Sequence, residues 1–225
     1  MKIAVLGTGM VGQALAGRLA ELGHDVVTGT RDPQSTLART EPDGMGNPPY
    51  AAWATEHPEV TLATFADAVS GADLVVNATG GAAAIPALQA VGAEVLGDKV
   101  VIDISNPLDF SQGFPPTLFV KDTDSLGEQI QREFPQARIV KALNTLTAEL
   151  MVRPASLGEP SSVFVSGNDA EAKATVTALL ESFGHTDVID LGDISTARGT
   201  EMLLPVWLRL MGALGTGMFN FKIVR

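Results

Sequence analysis

The sequence predicts an α/β fold: a doubly wound, mostly parallel sheet of Rossmann type with a small helical unit at its C-terminal end. Three observations predict it. Short apolar runs rich in β-branched residues recur along the chain, and segments of helical period separate them. Most of these runs are continuously apolar, as parallel strands covered on both faces must be. The first of them leads into a glycine-rich turn at the start of a helix. A length of 225 residues sets the frame: one large domain with a small annex.

Lys2–Gly7 is the first predicted strand. Behind it Val11, Leu15, Leu19 and Leu22 recur at helical spacing on one face of the first helix. Asp25–Thr30 is the second strand. Residues 40–50 carry three prolines and two glycines and read as a surface loop, leading to a short helix over Ala51–Glu56. Val60–Thr64, Leu74–Thr79 and Lys99–Ser105 are the next strands, and residues 106–117 read as an irregular loop. Ser125-Leu-Gly-Glu128 is a capping box opening a helix with Leu126, Ile130 and Phe134 on one stripe. Arg138–Leu143 and Ser162–Gly167 are strands. Asn168 or Asp169 then caps a helix carrying Val176, Leu179, Leu180 and Phe183, and Asp187–Leu191 is the last strand. Met202–Leu214 is apolar on almost every side. With Arg209 in its middle it falls well short of the roughly 20 apolar residues that cross a bilayer, so it reads as a core or dimer helix. The expected division is a dinucleotide-binding domain over 1–194 and a C-terminal segment over 195–225 that closes the pocket or forms a dimer contact.

Composition narrows the function. Hydrophobic residues make up 45% and charged residues 18%, which suits a packed core and excludes a disordered chain. The formal charge of −11 argues against nucleic acid and against an anionic membrane as partners. The chain has no cysteine, which removes disulfides, thiolate nucleophiles, zinc ribbons and iron–sulfur ligation together. Only Ile3 to Leu6 stand between Lys2 and Gly7, too short a run for a signal-peptide core, so the cytoplasm is the expected compartment.

The motif that carries chemistry is Gly7-Thr8-Gly9-Met10-Val11-Gly12, between the first strand and the first helix. In that context Gly7 makes the tight turn, Gly9 lets backbone approach a pyrophosphate, and Gly12 lets helix and strand pack closely. The helix N-terminus then offers free N–H groups to phosphate. The second strand ends Thr28-Gly-Thr30-Arg31, where an NAD site would carry a carboxylate. Hydroxyls and a guanidinium suit a 2′-phosphate, so NADP(H) is the expected dinucleotide, with Asp32 read as a turn residue. Asn77-Ala78-Thr79, Asn106, and Ala142 with Asn144 stand at the ends of the fourth, fifth and sixth strands. Ribose and nicotinamide contacts fall at such positions, and turn capping explains Thr79, Asn106 and Asn144 equally well.

No catalytic residue is assigned from the sequence. His24, His57 and His185 sit in connecting turns, no two histidines share a helix face, and no metal site is expected. Asp103 and Asp190 stand in apolar strands as candidate shifted carboxylates, with capping near strand ends the commoner role. Lys141 and Tyr50 are the remaining candidate proton donors, Lys141 the better placed. A dinucleotide site without an evident acid or base fits transfer of hydride to a second hydride carrier, a flavin or deazaflavin, in which the protein contributes alignment and exclusion of water. An imine or carbonyl reductase using Lys141 or Asp103 is the alternative within enzymes. A non-catalytic NADP(H)-sensing module is the alternative outside them.

The chain also resembles the family of NADPH-dependent reductases of coenzyme F420, the 8-hydroxy-5-deazaflavin carrier. The resemblance rests on Gly7–Gly12, on Leu22-Gly-His-Asp-Val with Thr30-Arg31, on Lys141-Ala-Leu-Asn-Thr, on Leu204-Pro205 and on the tail Phe219-Asn-Phe-Lys-Ile223. It implies that Thr8, Gly9, Met10 and Val11 hold the pyrophosphate, and that Thr30 and Arg31 read the 2′-phosphate. It also implies F420 as second substrate and a C-terminal unit that helps close the pocket over its ring. A homodimer is expected. Residues 195–225 hold Arg198, Arg209, Lys222 and Arg225 against Glu201 alone, so the acidity belongs to the dinucleotide half.

Overall fold

A computed structural model describes residues 1–42 and 46–225; residues 43–45 of the loop expected over 40–50 lie outside the described residues. The strands are β1 (Lys2–Leu6), β2 (Asp25–Thr30), β3 (Thr61–Thr64), β4 (Leu74–Asn77), β5 (Val100–Asp103), β6 (Leu108–Asp109), β7 (Thr117–Leu118), β8 (Arg138–Ala142), β9 (Ser162–Gly167) and β10 (Asp187–Gly192). Eight of them form one sheet in the order β10-β9-β8-β5-β4-β1-β2-β3. All pairs from β3 to β8 are parallel. β9 runs antiparallel to β8, and β10 is parallel to β9. An antiparallel neighbour needs no full crossover, and the β8–β9 connection holds only a short helix and a 3-10 turn.

The helices are α1 (Met10–Glu21), α2 (Pro33–Ala38), α3 (Tyr50–Glu56), α4 (Phe65–Ser70), α5 (Gly81–Val91), α6 (Ala93–Leu96), α7 (Leu126–Glu133), α8 (Ala148–Val152), α9 (Ala170–Phe183), α10 (Ala197–Met202) and α11 (Leu204–Leu214). They cover both sides of the sheet, which explains the unbroken apolar strands. Ile3 and Val5 of β1 join Leu15 and Leu19 of α1 and Val176 and Leu180 of α9 in one core. Ala4 and Leu6 point the other way, to Phe65 of α4, Leu88 of α5 and Ile130 of α7. The predicted caps are present: Ser125 accepts from the Glu128 N–H, and Asp169 from the Ala172 N–H. Asp32, expected as a turn residue, caps α2 by accepting from the Ser35 N–H.

Three expectations change. The loop over 106–117 contains the antiparallel β6–β7 ladder, with Leu108 opposite Leu118, too short to show a period in the sequence. The apolar run over 202–214 is broken at Leu203: Met202 ends α10 and Leu204–Leu214 is α11, with Pro205 in its first turn, where a missing N–H costs nothing. Nor does α11 pack on all sides: it buries Leu204, Trp207 and Leu208 and leaves Val206 and Leu214 exposed. Beyond it Phe219 stacks on Trp207 at 5.3 Å, and the Ser162 N–H at the start of β9 donates to the Phe221 carbonyl at 2.9 Å. Among the described residues no helix is long and apolar enough to cross a membrane.

Candidate active site

The chain leaves β1 toward β2 on one side and later returns to β4 on the other, so strand order reverses between β1 and β4. Ligand crevices form outside the carboxyl ends of strands at such a point. Here a crevice of about 590 Å³ lies there, lined by Gly9, Met10 and Val11, by Ala78 to Ala83, by Ile104 to Asn106, and by Asn47, Leu108, Phe110, Leu146 and Met151. Two helices begin at it. Neither the Gly9 N-cap of α1 nor the Gly80 N-cap of α5 supplies a side-chain cap, and neither first turn is acidic. Their first N–H groups remain available to an anion or a carbonyl. By contrast α7 and α9, which begin elsewhere, are capped by Ser125 and Asp169.

The glycines explain how backbone comes so close. A Cβ on Gly12 would collide with the Gly7 carbonyl oxygen, so any side chain there would lift α1 off the end of β1. A Cβ on Gly81 would strike the Asn106 carbonyl, where α5 abuts the segment leaving β5. At Gly9 a Cβ would meet nothing, because the position faces open space. The loop between is tied down by Gln13, whose Nε2 donates to the Thr8 carbonyl at 2.9 Å.

A smaller recess of about 80 Å³ continues past α1, lined among others by Thr8, Gln13, Thr36, Arg39, Glu41 and Tyr50. Arg31 is exposed just beyond β2. Thr30 is buried, its hydroxyl 2.9 Å from that of Thr36. Thr36 donates to the Asp32 carbonyl, so the proton between the two threonines is the one on Thr30. The Thr30 hydroxyl proton is thus spent on Thr36 and not offered to a ligand. Thr28 is fully buried beside the Tyr50 hydroxyl, and burial pushes that phenol above its ordinary pKa. Arg39 at the end of α2 is the addition that sequence reading missed; it stands eight positions after Arg31, with no motif around it.

Beneath the crevice lies a buried ion cluster. Lys141, 1% exposed, places Nζ 2.8 Å from Asp103 Oδ2 and 2.8 Å from Glu201 Oε1, and donates to the Ser105 carbonyl. Burial alone would lower its pKa, but the two carboxylates more than offset this and hold it above the usual lysine value. Glu201 of α10 also accepts from the Leu126 and Gly127 N–H groups at the start of α7. Lys141 is therefore a cation held between two carboxylates, outside the crevice lining. Asp103 accepts from Asn77 Nδ2 at 2.9 Å and from the Ser105 hydroxyl at 2.7 Å, and Asn77 Oδ1 accepts from the Thr79 hydroxyl at 2.7 Å. Asn106 and Asn144 pair with one another, Nδ2 of Asn144 on Oδ1 of Asn106 at 3.0 Å. Of the residues expected at the strand ends, Ala78, Thr79 and Asn106 line the crevice, whereas Asn77, Ala142 and Asn144 are buried behind it.

The histidines stand apart from the crevice. His24 lies by the N-terminal amine, and His57 stacks on Trp53 at 4.3 Å. His185 is buried with a ring nitrogen 2.9 Å from the Met151 carbonyl, and burial lowers its pKa. Among the described residues no Asp, Glu, Lys, Arg, His or Tyr lines the crevice.

A crystal structure from Arthrobacter sp. FB24, of a protein provisionally named an F420-dependent NADP reductase, superposes with a TM-score of 0.95. It is 65% identical, over all of both chains. The sequence profile of the family described as NADP oxidoreductase, coenzyme F420-dependent, matches residues 2–107. The chain belongs to this family. The F420-dependent NADP reductase of Methanothermobacter thermautotrophicus is 28% identical over 93% of this chain and 89% of its own length. Metalloreductase STEAP3 of Rattus norvegicus is 27% identical over 97% of this chain, which spans only 40% of that relative. The glycine turn, β1 to β5 and the crevice wall up to Pro107 all fall within the part that the family profile covers.

Proposed function

We propose that this NADP-dependent oxidoreductase passes hydride directly between NADP(H) and coenzyme F420 or a related flavin. The observation that carries the reading is a crevice between two uncapped helix N-termini that, among the described residues, no ionisable side chain lines. When bound, the nicotinamide ring carries the hydride. The chain's own part is then to bind, align and keep water out, which is catalysis by proximity. In this reading the N–H groups from Gly9 to Gly12 and the Thr8 backbone hold the pyrophosphate. Arg31 and nearby backbone N–H groups form the 2′-phosphate end with Thr28 and Thr30 packed behind them, and Ala78, Thr79 and Asn106 form the nicotinamide end, backed by Asn77, Ala142 and Asn144. The relatives named F420-dependent NADP reductases support F420 as second substrate.

Residues 195–225 act in this reading as a wall near the second substrate, next to the dinucleotide domain over 1–194. A groove of about 380 Å³ between Pro115 to Leu118 and Met202, Pro205, Leu208 and Arg209, with Lys121 at its edge, supports that role. Exposed Phe110, Phe114, Phe119, Met202, Val206 and Leu214 on the same segments support a homodimer, in the cytoplasm, which sedimentation would register as twice the 23.5 kDa chain. The test of function is spectroscopic: with NADPH and F420 the oxidised deazaflavin absorbance should fall. Deuterium from the nicotinamide C4 should arrive on the deazaflavin without exchange into water. No turnover with F420, FMN or FAD would overturn the reading.

A further inference from the structure

One buried carboxylate decides the hydrogen-bond polarity of the crevice wall. Asp103 is 0% exposed and paired with Lys141, and an ionised carboxylate can only accept. Whatever approaches it must donate. Asn77 therefore turns its amide NH₂ toward Asp103 Oδ1, which leaves its carbonyl oxygen facing Thr79. The Thr79 hydroxyl must then give its single proton to Asn77. Ser105 likewise gives its proton to Asp103 Oδ1. The charge on Asp103 fixes the orientation of the Asn77 amide, and the Asn77 carbonyl in turn fixes the Thr79 hydroxyl. Thr79 and Ser105 both line the crevice, and both hydroxyl protons are spent behind it. Toward a ligand these two oxygens can only accept.

Resting on the NADP(H) reading, we propose that Thr79 and Ser105 select a hydrogen-bond donor on the ligand, the carboxamide NH₂ of the nicotinamide, with Asp103 as the positioning residue that sets their polarity. A ribose hydroxyl rotates to suit either polarity and gains nothing from a fixed one. A planar carboxamide has a donor side and an acceptor side. An acceptor-only wall decides which side turns toward it, and so restrains the rotation of the ring that carries the hydride.

The test is equilibrium binding by calorimetry with NADP⁺ and three analogues altered only at the carboxamide. The thioamide keeps the NH₂ donor; the acetyl and carboxylate forms lack it. In the unaltered protein the amide and thioamide should bind about tenfold more tightly than the acetyl form, the scale of a polar site left without its partner. The carboxylate, facing acceptors only, should bind more weakly still. In a Ser105→Ala/Thr79→Val variant the gap between thioamide and acetyl should close to about twofold or less. Asp103→Asn, whose amide donates as well as accepts, should narrow the same ratio; if it fails to fold, the hydroxyl variants carry the test. Equal affinity for thioamide and acetyl in the unaltered protein, or a gap unchanged in the double variant, overturns the proposal. Failure of NADP⁺ and every analogue to bind would instead overturn the dinucleotide reading on which it rests.

Discussion

Arg31 and Lys141 carry the same charge and serve opposite purposes, because one stands in water and the other does not. Arg31 is exposed one residue past β2, and its worth depends on what anion meets it. Replacing it with alanine should weaken NADPH by about ten- to a hundredfold, the scale of hydrogen bonds to a charged group, and leave NADH nearly unchanged. Equal losses for the two dinucleotides in a fluorescence titration would refute the 2′-phosphate role. The place of Arg31 just past β2 is legible in the sequence because Thr28 to Thr30 end a recognisable strand. The pairing of Lys141 is not. Its partners Asp103 and Glu201 lie far away in the chain, and only the alignment of β5 beside β8 and the packing of α10 against α7 bring them together. A lysine in an apolar strand reads as a candidate proton donor, and the two carboxylates that hold it are not visible in the sequence.

At the scale of elements, α1 and its glycine turn are a fit between backbone surfaces. Because a Cβ at Gly12 meets the Gly7 carbonyl, Gly12→Ala should lift the helix from β1. A destabilisation of about 1–3 kcal/mol is expected in urea unfolding, with a larger loss of NADPH affinity than of stability. The long strands and α1, α7 and α9 were legible because each runs far enough to show its period or carries a cap. α4, α8 and α10 span only five or six residues and show neither period nor, in α8 and α10, a cap. The short α8 has a different anchor: its Met151 carbonyl meets the His185 ring at the turn between α9 and β10. Burial holds that imidazole below its ordinary value of 6.5. As pH falls the unfolded chain takes the proton first, so folding stability should decline below about pH 6.5 and be insensitive to this group above it. In His185→Asn that part of the pH dependence should vanish from thermal melts, whatever the variant's baseline stability.

Over the whole molecule, the doubly wound sheet and a crevice at the carboxyl ends of its strands are legible in the sequence, whereas the strand order, the antiparallel β9 and the joint between the two ends of the chain are not. That joint is the ion cluster. Lys141→Met would leave Asp103 and Glu201 buried without their cation, a loss of about 3–5 kcal/mol, a large share of the 5–15 kcal/mol that holds a domain together. Denaturant unfolding should register it as a lower midpoint. A variant that melts like the parent would show that the cluster contributes no net stability. The formal charge of −11 is likewise uneven: residues 195–225 carry four basic side chains and one acidic one, and the single acid, Glu201, is the one buried at the joint.

Glu201 has a mechanical consequence as well. Its two oxygens grip the first N–H groups of α7 and the ammonium of Lys141, and Lys141 in turn holds the Ser105 carbonyl on the crevice wall. α10 cannot swing without breaking a buried ion pair, so this helix is a fixed jamb rather than a door. On the proposed function, admission and release of the second substrate would then use the segment between Asn106 and Lys121, whose Phe110, Phe114 and Phe119 face solvent.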